Sequence, residues 1–285
     1  MSIKIVTDST TYIPMDLRKK FDIQVVSLSI NFDTETFLEE EIDNITFYKK
    51  MDEAKNIPSS SQPSVQNFCE VFENLLVANH KIVGVFISSE MSGTYNTAIM
   101  AKNKVLEKFP QGTIKIIDSR SNCMEAGFVA LAAAQAAEEG LDLTGVLNAA
   151  YRVLDRTRFL FTPHNLDYLK KGGRIGGAAA LLGTILQIKP ILTVVDGKTA
   201  VFDKVRTKSR AIERILDVLS QDAQTKGLEK VVVHHINNPA EGEALSQQIK
   251  KKLNIEAPVY PIGPVIGVHV GPGTIGVVYQ TKEPI

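Results

Sequence analysis

Lys81-Ile82-Val83-Gly84-Val85-Phe86-Ile87-Ser88-Ser89-Glu90-Met91-Ser92-Gly93-Thr94-Tyr95-Asn96 reads as a buried strand, a hydroxyl-rich turn and the opening of a helix. The apolar run does not alternate with polar residues, which fits a strand covered on both faces. Helical periodicity follows over 97–108. A turn of this kind sets serine oxygens and backbone N–H groups at the positive end of a helix. That geometry captures phosphate, carboxylate or an oxyanion.

Outward from this stretch, short β-rich runs at 3–6, 23–30, 82–87 and 114–117 alternate with helical patterns at 14–21, 65–79, 97–108 and 123–139. The alternation predicts an α/β domain over residues 1–150 built on a parallel sheet. Ligands of such sheets bind beyond the carboxyl ends of the strands. The tips expected there are Asp8-Ser9, the 88–96 turn and Asp118-Ser119, all polar.

Beyond residue 150 the rhythm changes, and a second, mixed α+β domain is expected over 151–285. Strands are expected at 158–162, 188–195, 199–203, 230–235 and 274–280. A strand-like run punctuated by Gly and Pro covers 259–269. Asp196-Gly197 is a two-residue hairpin signal. Helical patterns cover 178–187, 208–223 and 240–253. The acidic cluster Glu35, Glu39, Glu40, Glu41 and Asp43 reads as a solvated loop or helix face.

Composition narrows the function. Apolar residues make up 44% and charged residues 22% of 285 positions, the balance of a globular protein with room for two domains. Lys plus Arg and Asp plus Glu each total 32, so no global basic field recruits nucleic acid or anionic lipid. Cys69 and Cys123 form neither a disulfide framework nor a CxxC pair. The five histidines show no HxxxH or HExxH spacing, and no metal site is expected. The stretch 128–137, interrupted by Gln135, is too short to span a bilayer, and Met1 to Asp8 reads as a strand, not a signal segment. A cytoplasmic protein is expected.

Gly271-Pro272-Gly273-Thr274-Ile275-Gly276 matches GxGxxG literally, but a strand follows it where a dinucleotide site needs a helix. The segment Gly172-Gly173-Arg174-Ile175-Gly176-Gly177 lacks the Gly-Lys-Ser/Thr of a nucleotide cradle. It reads either as a tight turn or as a mount for Arg174, whose fork suits an anion or a partner. A self-sufficient serine esterase or phosphotransferase using Ser92, with His269 and Asp8 or Asp118, is the alternative reading. Against it, Glu90 and Thr94 stand where a GxSxG elbow has glycine. A second hydroxyl cluster, Ser59-Ser60-Ser61-Gln62-Pro63-Ser64, precedes the helix at 65, with Ser64 as its N-cap.

Thr7-Asp8-Ser9, Ser60-Ser61-Gln62-Pro63-Ser64, Ser92-Gly93-Thr94-Tyr95-Asn96 and Asp118-Ser119 are followed by Tyr168-Leu169-Lys170-Lys171-Gly172-Gly173-Arg174-Ile175. Gly263-Pro264-Val265-Ile266-Gly267-Val268-His269-Val270-Gly271-Pro272-Gly273 completes the set. In this order the motifs resemble the DegV family of bacterial fatty-acid-binding proteins across essentially the whole chain. The resemblance implies a two-domain α/β protein with one long-chain fatty acid (C14–C18) in a buried tunnel between the domains, and no cofactor. Carried over, it implies that the carboxylate is held by Ser60 and Ser92, with the Gly93 N–H as a further donor. The family usually has Thr at position 60, and Ser61 is the neighbouring alternative. Arg174 and His269 match positions associated with a partner. The resemblance implies a non-catalytic subunit that presents the carboxylate to a dihydroxyacetone-kinase-like, ATP-dependent partner, whose acyl-phosphate product feeds phospholipid synthesis. Val85, Leu166, Ile185 and Ile262 are candidates for the tunnel wall.

Overall fold

A computed structural model describes residues 2–182 and 188–285. The chain divides into two compact units, residues 1–41 with 60–154, and residues 42–59 with 155–285. The segment 42–59 therefore groups with the later part of the chain.

The first unit begins with β1 (Ile3–Asp8), α1 (Met15–Lys20), β2 (Gln24–Val26), β3 (Ser29–Asn31) and β4 (Thr36–Leu38). The chain then passes through α2 (Asn44–Glu53), which belongs to the second unit, and reaches β5 (Ser59–Ser61). The first unit resumes with α3 (Val65–Val77), β6 (Lys81–Phe86), α4 (Thr94–Lys108), β7 (Ile114–Asp118), α5 (Cys123–Glu138) and α6 (Leu143–Leu154). Its main sheet is parallel, in the order β2-β1-β6-β7.

Side chains of β1 and β6 alternate between two buried faces. Val6, Ile82 and Phe86 pack with Phe68 and Phe72 of α3 and Ala98 of α4. Ile5, Val83 and Val85, on the other face, are equally buried, and α5 lies against these strands. The Phe68 and Phe86 rings meet edge to face at 5.1 Å between centroids. Each buried phenylalanine contributes roughly 1.5–3 kcal/mol. Ser64 caps α3 by accepting from the Asn67 N–H, and Asn67 returns the bond in a capping box. The expected single strand over 23–30 is two short ones, and β3 pairs in a separate small sheet, β4-β3-β5.

The second unit contains α2, β8 (Thr157–Thr162), α7 (Asp167–Lys171), a 3₁₀ turn (Gly176–Leu181), β9 (Lys189–Val195) and β10 (Lys198–Val205). It continues with α8 (Lys208–Asp222), β11 (Leu228–His235), α9 (Pro239–Leu253), β12 (Val259–Pro261), α10 (Pro264–Val270) and β13 (Ile275–Thr281). The mixed sheet runs β10-β9-β8-β13-β11-β12, antiparallel except for the last pair. Leu160, Ile215, Leu219, Val233, Leu245 and Val277 form its buried core with α8 and α9. Asp196 (φ 50°) and Gly197 (φ 80°) make the β9–β10 turn with both central residues left-handed, as a type I′ hairpin requires.

Three further expectations are corrected. The run 259–269 is a strand only over β12, and its second half is helix α10. Pro264 sits in the first helical turn, where its missing N–H costs nothing, and Gly271 (φ 90°) closes the helix. The acidic cluster is not wholly solvated, because Glu39 is buried. It accepts hydrogen bonds from the Ser9 hydroxyl at 2.5 Å and the Tyr12 hydroxyl at 2.9 Å. The helical pattern over 178–187 is a 3₁₀ turn as far as Leu181, and residues 183–187, including Ile185, lie outside the described residues.

Candidate functional site

In the first unit, the carboxyl ends of β1, β6 and β7 carry the polar tips. Asp8 is fully buried and ties two of them together. Its Oδ1 accepts from the Thr10 N–H at 2.9 Å and the Thr10 hydroxyl at 2.5 Å, and its Oδ2 accepts from the Ile87 N–H at 2.7 Å. Burial pushes this carboxyl above the usual range although those bonds oppose the shift. Asp118 accepts from the Ser89 hydroxyl at 2.6 Å and from the Arg120 N–H at 2.9 Å. Both aspartates are thereby spent on shaping the loop.

The loop turns on Ser88, whose hydroxyl accepts from the Glu90 N–H and whose carbonyl accepts from the N–H groups of Met91 and Ser92. It delivers Ser92 and Gly93 to the N-terminus of α4. The Ser92 oxygen accepts from the Thr94 N–H at 3.3 Å and lies 2.9 Å from the buried Thr94 hydroxyl. When Thr94 donates that second bond, the Ser92 proton is left to donate elsewhere. A half-buried donor at a helix N-terminus suits an anion.

The second hydroxyl segment reaches the same place. The Gln62 amide donates to the Thr97 hydroxyl at 2.7 Å, and Thr97 donates to the Gly93 carbonyl at 3.1 Å. Gly93 has ordinary helical dihedrals, so what its glycine permits is the close approach of Gln62. A Cβ there would lie 2.7 Å from the Gln62 Cδ and closer still to Oε1. The structure thus brings Gln62, two residues after Ser60, to Gly93 at the start of α4. On β5, Ser60 and Ser61 point to opposite faces. The Ser61 oxygen accepts from the Asn31 amide at 2.8 Å, while Ser60 is half-buried. Gln62, Thr94 and Thr97 escaped the sequence reading as site residues. The only signal for Thr97 is its place four residues after Gly93, one helical turn on.

In the second unit, Arg174 and His269 come together. The Arg174 guanidinium donates to the Gly172 carbonyl at 2.6 Å. The His269 ring, carried on α10, lies over Gly172 of the α7 terminus, where a Cβ would stand 3.3 Å from Cε1 and overlap Nδ1. The Tyr168 ring covers Gly271, and the Tyr48 hydroxyl covers Gly267. These glycines permit close approach of the side chains above them. Burial, reinforced by the Arg174 cation, pushes the His269 imidazole down to about 4. The ring is neutral at pH 7.

His234 and His235 are structural. His234 is fully buried, its Nδ1 lies 2.8 Å from the Tyr260 carbonyl, and burial holds it down to about 4. The His235 Nδ1 accepts from the Asn238 N–H at 3.2 Å. Among the described residues, no group of three or more His, Cys, Asp or Glu is placed to hold a metal, and no helix is long and apolar enough to cross a membrane. Of the tunnel candidates, Val85 and Ile262 are buried and Leu166 is half-buried.

A parallel-sheet unit with hydroxyls gathered at a helix N-terminus, and a mixed-sheet unit with a glycine-seated His–Arg pair, define a two-unit α/β class. The chain belongs to the DegV family, whose model, described as "Uncharacterised protein, DegV family", matches residues 2–282. A DegV domain-containing protein of Clostridium acetobutylicum is 50% identical over 283 residues, covering 99% of both chains. Among solved structures, a fatty-acid-binding DegV family protein from Thermus thermophilus superposes with a TM-score of 0.88 at 32% identity, over 99% of this chain and 100% of that one. A stearic acid-binding protein from Eubacterium ventriosum superposes with a TM-score of 0.91 at 29% identity, over 98% of both.

Proposed function

We propose that this protein binds a long-chain fatty acid and presents its carboxylate to an ATP-dependent kinase of the dihydroxyacetone-kinase type. The observation that carries the reading is the docking of Gln62 on Gly93. It gathers two hydroxyl-bearing segments at the N-terminus of α4, in a family whose solved members include a stearic acid-binding protein. Ser60 and Ser92 donate to the carboxylate, and the Gly93 N–H completes the clasp. Ser61, on the opposite face of β5 from Ser60, stays outside it.

Magnitudes assign the work. An acyl chain gains roughly 0.8 kcal/mol per buried methylene, so a C16 tail gains on the order of 12 kcal/mol before association costs of about 4–15 kcal/mol. Charge-assisted hydrogen bonds add about 1.5–3 kcal/mol each. The tail supplies most of the affinity, and the head group sets direction. A hydroxyl clasp also leaves the carboxylate oxygen open to phosphorylation, which a tight arginine pair would shield.

Ser92 is a ligand-holder in this reading. Its hydrogen-bond partners are the hydroxyl and amide of Thr94, neither of which takes a proton at neutral pH. Chemistry belongs to the cytoplasmic partner, toward which Arg174 and His269 are directed. Delipidated protein titrated with palmitate and with hexadecanol tests the clasp. Palmitate should bind at least tenfold more tightly, and the Ser60→Ala/Ser92→Ala double variant should erase most of that difference. Equal binding of acid and alcohol by the wild type would contradict the reading.

A further inference from the structure

We propose that Gly172 is a positioning residue whose bare Cα seats the His269 ring and whose carbonyl holds the Arg174 guanidinium, so that one backbone unit sets both members of the pair. The functional meaning of this placement rests on the reading that the pair faces a partner; the placement itself does not.

Gly172 has φ −74° and ψ −7°, a conformation open to any residue. Its glycine is therefore demanded by space alone. An added Cβ would overlap His269 Nδ1, lie 3.3 Å from Cε1 and lie 3.1 Å from the Tyr168 carbonyl. Of these neighbours, the backbone oxygen is fixed within α7, while the imidazole rotates about its own side-chain bonds. Adding a methyl group moves the ring.

Gly173 has the opposite character. Its φ is +69°, which disfavours a side chain, yet nothing stands within 4 Å of where its Cβ would be. Alanine at 172 keeps allowed dihedrals, presses hardest on the ring and more lightly on the Tyr168 carbonyl. Alanine at 173 strains the backbone without touching the ring.

The surroundings make the displacement visible. Arg174 acts on the His269 ring from the α7 side, and Asp52 of α2 and Asp167 of α7 act on the adjacent Tyr168. A ring pushed off Gly172 loses its burial, and its titration moves toward the ordinary imidazole value of about 6.5.

The test is an NMR titration of the His269 imidazole in the full chain, assigned with His269→Gln. In the wild type and in Gly173→Ala, His269 should stay neutral at pH 5.5. In Gly172→Ala it should titrate near pH 6. A double-mutant cycle guards against poor folding. The loss of thermal midpoint caused by Gly172→Ala should shrink by at least half in a His269→Ala background. A His269 titration unchanged by Gly172→Ala, or a midpoint loss of the same size in both backgrounds, would overturn the assignment. Neither measurement uses fatty acid or kinase, so an empty protein would defeat the carrier reading and leave this one standing.

Discussion

The Gln62 amide stands against the Gly93 Cα, with its Nε2 bonded to Thr97 one helical turn further along α4. This contact joins the turn before α3 to the turn before α4. It ties the segment that carries Ser60 and Ser61 to the segment that carries Ser92.

Gly93→Ala should therefore push the exposed Gln62 side chain aside and cost about 0.5–1.5 kcal/mol, the worth of its hydrogen bond to Thr97. In a Gln62→Ala background, where neither the clash nor that bond exists, the same substitution should cost little. Urea denaturation of the two single variants and the double variant checks this. Strictly additive losses would show that the contact is not the cause.

Neighbouring serines should behave differently. Ser60→Ala should weaken palmitate binding about tenfold, the worth of one charge-assisted bond. Ser61→Ala, on the opposite face of β5, should change it by less than twofold. Ser92→Ala should lower phosphorylation by a cognate kinase more than it lowers affinity. Isothermal titration of each variant compares the serines directly, and an equal loss for Ser60 and Ser61 would void the distinction.

Stability should fall as the solution is acidified from pH 7 to 5. His234 titrates near 6.5 when unfolded and about 4 when folded, so between these values the unfolded chain binds more protons. The stability it contributes is complete above pH 6.5 and is lost as pH falls toward 4. The loss from pH 7 to 5 is on the order of 2 kcal/mol, and His269 adds in the same direction. Denaturant midpoints across this range check the slope. His234→Gln should flatten it, and an unchanged slope would assign the effect elsewhere.

Glu39 should matter despite its charged neighbours in sequence. Glu39→Ala removes the buried carboxylate to which the Ser9 and Tyr12 hydroxyls donate and should cost about 1–3 kcal/mol. Glu39→Gln should cost less, because one oxygen remains. Glu40→Ala, at an exposed position paired with Arg18, should cost no more than about 1 kcal/mol. Equal effects at the two positions would mean that the burial of Glu39 carries no energy.

Much of the architecture was legible because local signals agreed with it. The unalternating run 82–87, the Ser64 cap and the Asp196-Gly197 turn each specify backbone without distant help. Helix α10 was hidden because Val259 to His269 is rich in β-formers and punctuated by glycine. Only Pro264 in the first helical turn announces a helix there. Glu39 was hidden because its burial depends on hydroxyls 27 and 30 residues away. At the candidate site the serines were visible as a pattern of hydroxyls. Gln62 was not, since its part is set by the space above Gly93. The His–Arg pair was visible only through the family resemblance, because its geometry depends on α10 crossing the end of α7.

Mass spectrometry of an organic extract of the purified protein reads the bound ligand itself. One C14–C18 fatty acid per chain is expected. An empty protein that hydrolyses p-nitrophenyl esters, and loses that activity in Ser92→Ala, would contradict the carrier reading.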